Sequence, residues 1–194
     1  LEEAKKAFEE HFLSGSSDLP PNSVFMDEDE RWVDRTLSST SFISIALLKD
    51  MLDPERLRKT FERARSDLLV ERRFVELNAG QKGPFGLLVQ RRECKPYLGD
   101  PQYHECVVWP RDTPYLFDIM KSLGMQEECD LLLLNNLDAS ISECVPFYSN
   151  ELYGLPLGRN PSPDDRTQFQ PIPMRNPAQW WSNWVDPYLG WSLV

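Results

Sequence analysis

Residues 40–69 read TSFISIALLKDMLDPERLRKTFERARSDLL, and the fold class expected of this chain turns on them. The first part, 40–52, is apolar nearly all round, which predicts a helix buried on most sides, with Ser38 or Thr40 available as its cap. Asp53 then stands where an N-cap belongs and Pro54 at the first helical position. Leu57, Phe61, Ala64 and Leu68 follow at spacings of four, three and four, one face of a second helix. Two helices joined at a short Asp-Pro junction are expected to pack as an antiparallel pair.

The same signals recur on either side. In LEEAKKAFEEHFL (1–13), Ala4, Ala7, Phe8 and Phe12 share a helical face, and this stretch has no signal-peptide character. A polar loop broken by Pro20-Pro21 follows, so residues 1–35 form an N-terminal helix and loop ahead of a main unit, 36–194. After residue 112, Leu116, Ile119, Met120 and Leu123 repeat the helical spacing, and Gly124 marks an end. Residues 126–137 supply another helix almost at once. Between the helices, 71–99 loses the pattern, apart from a candidate strand at Phe85–Val89. Residues 140–175 carry six prolines and little periodicity. Helix pairs separated by long loops predict an all-α fold.

Composition narrows the partners. A net charge of −10 and a pI near 4.7 oppose nucleic acid and anionic membranes, both of which attract basic surfaces. No apolar run approaches the ~20 residues of a membrane span. Neutral ligands such as sugars fit. Cys94, Cys106, Cys129 and Cys144 have no metal-binding spacing and are expected to be free thiols of a reducing, cytoplasmic compartment. His11 and His104 are too separated for a histidine metal site, so neither a metal nor a cofactor is expected.

Aromatic residues are unevenly placed. Five of the six tryptophans and all six tyrosines lie after residue 96, in loops and among polar neighbours: GDPQYHECVVWPRD, FYSNELYG and NPAQWWSNW. Such rings either build a core or offer flat faces to sugar C–H groups, with their N–H and O–H edges bonding hydroxyls.

Four segments in order carry a resemblance. They are TLSSTSFISIALL (36–48), Tyr103-His104 ahead of Val108-Trp109-Pro110, Glu151-Leu-Tyr-Gly154, and Pro177-Ala-Gln179-Trp180-Trp181-Ser182. Together they resemble the C-terminal half of the glucosidase domain of glycogen debranching enzymes, the amylo-α-1,6-glucosidase family. The resemblance implies part of an (α/α)6 toroid, with long loops at its active-site end, and inverting hydrolysis of an α-glucosidic bond in an oligosaccharide or polysaccharide. Such hydrolysis uses two carboxyl groups ~6.5–9.5 Å apart, one protonating the leaving oxygen and one activating water.

The resemblance makes Glu151 the general base, set among Tyr148, Asn150 and Tyr153; read alone, Glu151 is equally a surface or helix-start glutamate. It also implies Tyr103, His104, Trp109, Tyr153, Gln179 and Trp180 as substrate contacts, with Trp184 and Trp191 left for the core. His104 by itself reads as either a sugar contact or a satisfied interior histidine. Trp109-Pro-Arg111-Asp112 departs from the debranching pattern and is similar to a glucoamylase segment whose arginine and aspartate bind sugar hydroxyls. Asp112 also stands where an N-cap belongs. The family's acid belongs to a segment N-terminal to all those matched, so the chain is expected to be a fragment, or to act with an N-terminal partner segment or as a homo-oligomer. A phosphorylase using Arg111, Arg159, Arg166 and Arg175 for phosphate is one alternative, and a non-catalytic carbohydrate-binding or scaffold protein the other.

Overall fold

A computed structural model of the chain describes residues 2–13, 20–27, 30–90, 96–143, 145, 148, 150–154 and 171–175. It corrects the expected fold class. The architecture is mixed α and β, with five α-helices and six short strands among the described residues, and not an all-α toroid.

The expected helices are present. They are α1 (Glu2–Phe8), α2 (Ser39–Leu48), α3 (Pro54–Leu68), α4 (Thr113–Ser122) and α5 (Gln126–Ser142). Local chemistry explains their bounds. Asp53 caps α3 by accepting from the Arg56 N–H at 2.9 Å, and Pro54 occupies the first turn, where no N–H is needed. Gly124, at φ +73, ends α4. Its N–H reaches the Lys121 carbonyl while the Met125 N–H reaches that of Met120, which is a Schellman closure.

The predicted α3 stripe holds: Leu57, Phe61, Ala64 and Leu68 are all buried. Against expectation, α2 packs chiefly on α4 and not on α3. α1 buries nothing, although its Phe8 stacks on Phe12 in the π-helical turn that follows.

What the helical reading missed is the sheet. The expected polar loop holds a hairpin of β1 (Ser23–Asp27) and β2 (Glu30–Asp34), pairing Phe25 with Trp32. β3 (Leu69–Arg73) leaves α3 without a break and pairs antiparallel with β4 (Lys82–Leu87). The line continues through single residues. Leu88 bridges Val108, Val108 bridges Tyr153, and Tyr153 belongs to β5 (Leu152–Gly154), which pairs with β6 (Ile172–Arg175). Val108 and Tyr153 exchange both backbone hydrogen bonds, at 2.8 and 2.9 Å. The candidate strand at Phe85–Val89 overlaps the end of β4, while the other strands show no legible alternation and read as loop or helix end.

The sheet separates two apolar layers. Leu88, Val108 and Tyr153 face the main core, with Phe42, Phe61, Leu116, Ile119 and Leu132 from the helices. The intervening residues Val89, Val107, Trp109 and Leu152 form a second cluster, with Tyr97, Tyr103 and Met174 packed against it. At Gly86 an added Cβ would lie 2.5 Å from Val108 Cγ1, so the close strand approach there requires glycine.

A buried polar network binds α5 to this sheet. Asn135 Nδ2 donates to the Arg72 and Gly83 carbonyls at 2.9 and 2.8 Å, and Asn136 Nδ2 to that of Phe85 at 2.9 Å. Arg72 is fully buried, with Nη1 2.7 Å from Asp138 Oδ2 and Nη2 3.0 Å from Glu143 Oε1. Asp138 also accepts from the backbone N–H groups of Val75, Glu76 and Leu77. Burial opposes its ionisation, but the bonds from Arg72 and the three N–H groups outweigh that and hold its carboxyl below the usual carboxylate range.

The cysteines divide: Cys106 departs from the expected free thiol and Cys129 keeps to it. Cys106 is disulfide-bonded, its partner lying outside the described residues, whereas Cys129 is free and buried. Burial, then the charges of Asp130 and Glu128, push the Cys129 thiol up to about 11, which leaves it an inert packing group. No described helix is long and apolar enough to cross a membrane.

Asp138→Asn removes one of the two anions facing buried Arg72, leaving Glu143, and is expected to destabilise the fold by about 1–3 kcal/mol in denaturant unfolding at pH 7. A carboxyl depressed by folding contributes stability above its unfolded value near 3.9 and loses it as pH falls through the folded value. The wild-type decline below about pH 4 should therefore be shallower in Asp138→Asn.

Candidate functional site

The candidate site lies on the second face of the sheet. Tyr103 and His104 follow a short 3-10 turn, Asp100–Gln102, whose Gly99 adopts φ +122. Trp109 lies one residue past Val108, the joint of the sheet, and its backbone is extended. The chain folds back between them, and the Val107 carbonyl accepts from the Val89 N–H at 2.8 Å. Residues six apart thereby share one face.

Their rings form a closed group. Tyr103 meets Trp109 edge-on with centroids 4.8 Å apart, His104 lies 4.9 Å from Trp109, and Tyr103 and His104 are 5.0 Å apart. Offset and edge-to-face contacts at such distances are the favoured aromatic geometries. The Arg111 guanidinium covers the Trp109 ring, its carbon 3.7 Å from the centroid, in a close cation–π contact. Trp109 is buried, while His104 is exposed and Tyr103 and Arg111 are half-exposed. Trp109 is thus the floor of the site rather than an open platform for a sugar ring.

Glu151 joins this group. It is 5% exposed, and the Tyr103 hydroxyl donates a hydrogen bond to its Oε1. The rest of its expected surroundings differ. Asn150 is buried and its Nδ2 donates to the Leu152 carbonyl at 2.6 Å, shaping the turn into β5. Tyr148 is exposed, at 43%. Tyr153 turns to the main core, where it meets Phe85 with ring centroids 4.8 Å apart.

Asp112 faces inward as well. It precedes α4 but makes no side-chain cap bond, and accepts instead from Ser39 Oγ at 2.8 Å. Its Oδ1 lies 3.3 Å from Arg111 Nε. Burial raises its carboxyl above the usual range, while the Ser39 bond and the Arg111 charge pull it back down. Asp112 therefore supports Arg111 from behind.

Gln179 and Trp180 lie outside the described residues, as do Trp184, Trp191, Arg159 and Arg166; Arg175 belongs to β6, with its side chain outside them. Of the phosphate-binding arginines expected, Arg111 alone is placed at the site. No group of three His, Cys, Asp or Glu side chains fit for a metal occurs among the described residues.

Sequence reasoning passed over Ser39, Tyr97 and Met174. Ser38-Ser39 reads as ordinary helix-start chemistry, and nothing in the spacing of 73 residues links Ser39 to Asp112. No family model, curated protein or solved structure matches this chain.

Tyr103→Phe removes the hydroxyl that bonds Glu151 and is expected to cost about 1–3 kcal/mol of stability, since a buried carboxylate loses a donor. A double-mutant cycle of Tyr103→Phe with Glu151→Gln, read by denaturant unfolding, should return a coupling of at least about 0.5 kcal/mol.

Proposed function

We propose that this chain carries the base side of a glycoside hydrolase site of the debranching type, which releases glucose from α-glucans or related oligosaccharides with inversion. The observation that carries this reading is the bond from the Tyr103 hydroxyl to Glu151 beside the Trp109, His104 and Arg111 group. It adds to the resemblance of the ordered segments to amylo-α-1,6-glucosidases. Tyr103 accounts for the orientation of the Glu151 carboxylate. Arg111 and His104 are exposed enough to bond hydroxyls of the arriving sugar.

In the reaction proposed, Glu151 takes a proton from water as the water oxygen attacks the anomeric carbon. A second carboxyl, which the resemblance places outside the matched segments, gives its proton to the leaving oxygen. The Cys106 disulfide favours an oxidising compartment for this activity over the cytoplasm.

A second reading is favoured by the burial of Glu151, 5% exposed. A base must reach a water, whereas a non-catalytic oligosaccharide-binding site has no such need.

One assay separates the two. The native protein is incubated with malto- and isomalto-oligosaccharides and glucose release is measured in wild type, Glu151→Ala and Glu151→Gln. The hydrolase reading expects both variants to lose at least about a hundredfold in kcat/KM. Equal rates in wild type and variants would sink Glu151 as base. Sugar binding retained in Glu151→Gln, with no turnover in either form, would establish the binding reading.

A further inference from the structure

The sugar site as proposed has an inner half that lies on a different part of the chain. Arg111 covers Trp109 with its guanidinium carbon 3.7 Å from the ring centroid. Its Nε faces Asp112 Oδ1 at 3.3 Å, and the other oxygen of that carboxylate, Oδ2, accepts from Ser39 Oγ at 2.8 Å. Ser39 opens α2, is 1% exposed, and its own N–H donates to the Val89 carbonyl at 3.0 Å. Val89 in turn belongs to the same apolar cluster as Trp109. The serine is therefore anchored through its backbone to the layer that holds the indole. Through its side chain it holds the carboxylate behind the arginine.

We propose that Ser39 is a positioning residue of this site: by fixing Asp112 it holds the Arg111 guanidinium over Trp109, where a sugar hydroxyl would meet it. This rests on the sugar-site reading given above. A guanidinium is a rigid planar fork, so its use to a ligand depends on the direction in which that plane is held. Without the Ser39 bond the Asp112 carboxylate turns on its own torsion, and the charge that faces Arg111 at 3.3 Å in the ion pair turns with it. Burial raises the Asp112 carboxyl, and the Ser39 bond is the first of the contacts that oppose that rise.

The test uses the native chain with Ser39→Ala, Ser39→Thr and Asp112→Asn, and reads each in two ways. The first needs no sugar. A proton on Arg111 Nε, held near the face of Trp109, should give a ring-current-shifted signal in a 15N-correlated NMR spectrum. That signal should move toward the ordinary arginine position in Ser39→Ala and Asp112→Asn, and return in Ser39→Thr. The second is calorimetric binding of maltotriose and isomaltotriose, with about a tenfold loss of affinity expected in Ser39→Ala and recovery to within about threefold in Ser39→Thr.

An Arg111 signal unchanged in Ser39→Ala overturns the proposal, as does wild-type affinity in that variant. If the wild type binds neither trisaccharide, the sugar reading has failed, and the Arg111 signal alone decides whether Ser39 positions the arginine. If Ser39→Ala does not fold, Ser39→Thr and Asp112→Asn carry the comparison, and equal Arg111 signals in those two overturn it.

Discussion

The buried contact of Arg72 with Asp138 is the constraint on which the rest of the structure depends. Arg72 comes from β3 and Asp138 from the last turns of α5, and both are fully buried. Such a pair is favoured when its remaining donors and acceptors are met, and here most are, Arg72 Nε being without a hydrogen-bond partner among the described residues. Here Asp138 takes three backbone N–H groups of the loop after β3, and Arg72 reaches Asn135, Ser142 and Glu143. One helix, one strand and the loop between two strands are thereby set in a single register. Asn135 and Asn136 extend the hold by bonding carbonyls of β3 and β4.

With that hairpin placed, the second joint is Val108. It carries the sheet from β4 to β5 through two single-residue bridges and is fully buried in the main core. Neighbouring strand residues point to opposite faces, so seating Val108 in the core obliges Val107 and Trp109 to face the other way. The aromatic group of Tyr103, His104 and Trp109 thus follows from core packing on the far side of a sheet one residue thick. Tyr153 and Glu151 show the same division, the first drawn into the core and the second bonded to Tyr103. A site built this way is supported from beneath by the helices and from the side by α2, through Ser39 and Asp112.

Helices were legible because a 3.6-residue period needs only local apolar spacing and a cap. α3 shows it in full: Asp53, Pro54 and the Leu57, Phe61, Ala64 and Leu68 stripe all act as their types and positions suggest. Of the strands, only the apolar run Phe85–Val89 at the end of β4 was legible. β5 is three residues long, and the bridges at Leu88 and Val108 involve one residue each, too little for alternation to emerge. The β1–β2 hairpin was masked by its acidic residues, Asp27 and Glu30 facing each other across the strands in a stretch that reads as solvent loop. An all-α reading followed from seeing one period and not the other.

For the site, the family resemblance singled out Tyr103, His104, Trp109, Arg111 and Glu151, whereas residue types alone left the aromatics between core and surface and Glu151 an ordinary glutamate. Which of them meet was beyond its reach. Tyr153 and Asp112 look like equal candidates in the sequence, yet one is packed against Phe85 and the other is tied to Ser39. Reading along the chain was enough for the helices, the Asp53 cap and the inventory of side chains, because those depend on neighbours within four residues; the caps expected at Ser38 and Asp112 are not formed. Tertiary structure alone decided the sheet, the buried Arg72–Asp138 contact and the direction in which each candidate faces. Those depend on pairs distant in sequence, as far as 48 residues for Tyr103 with Glu151 and 73 for Ser39 with Asp112, which only the packed chain brings within bonding distance.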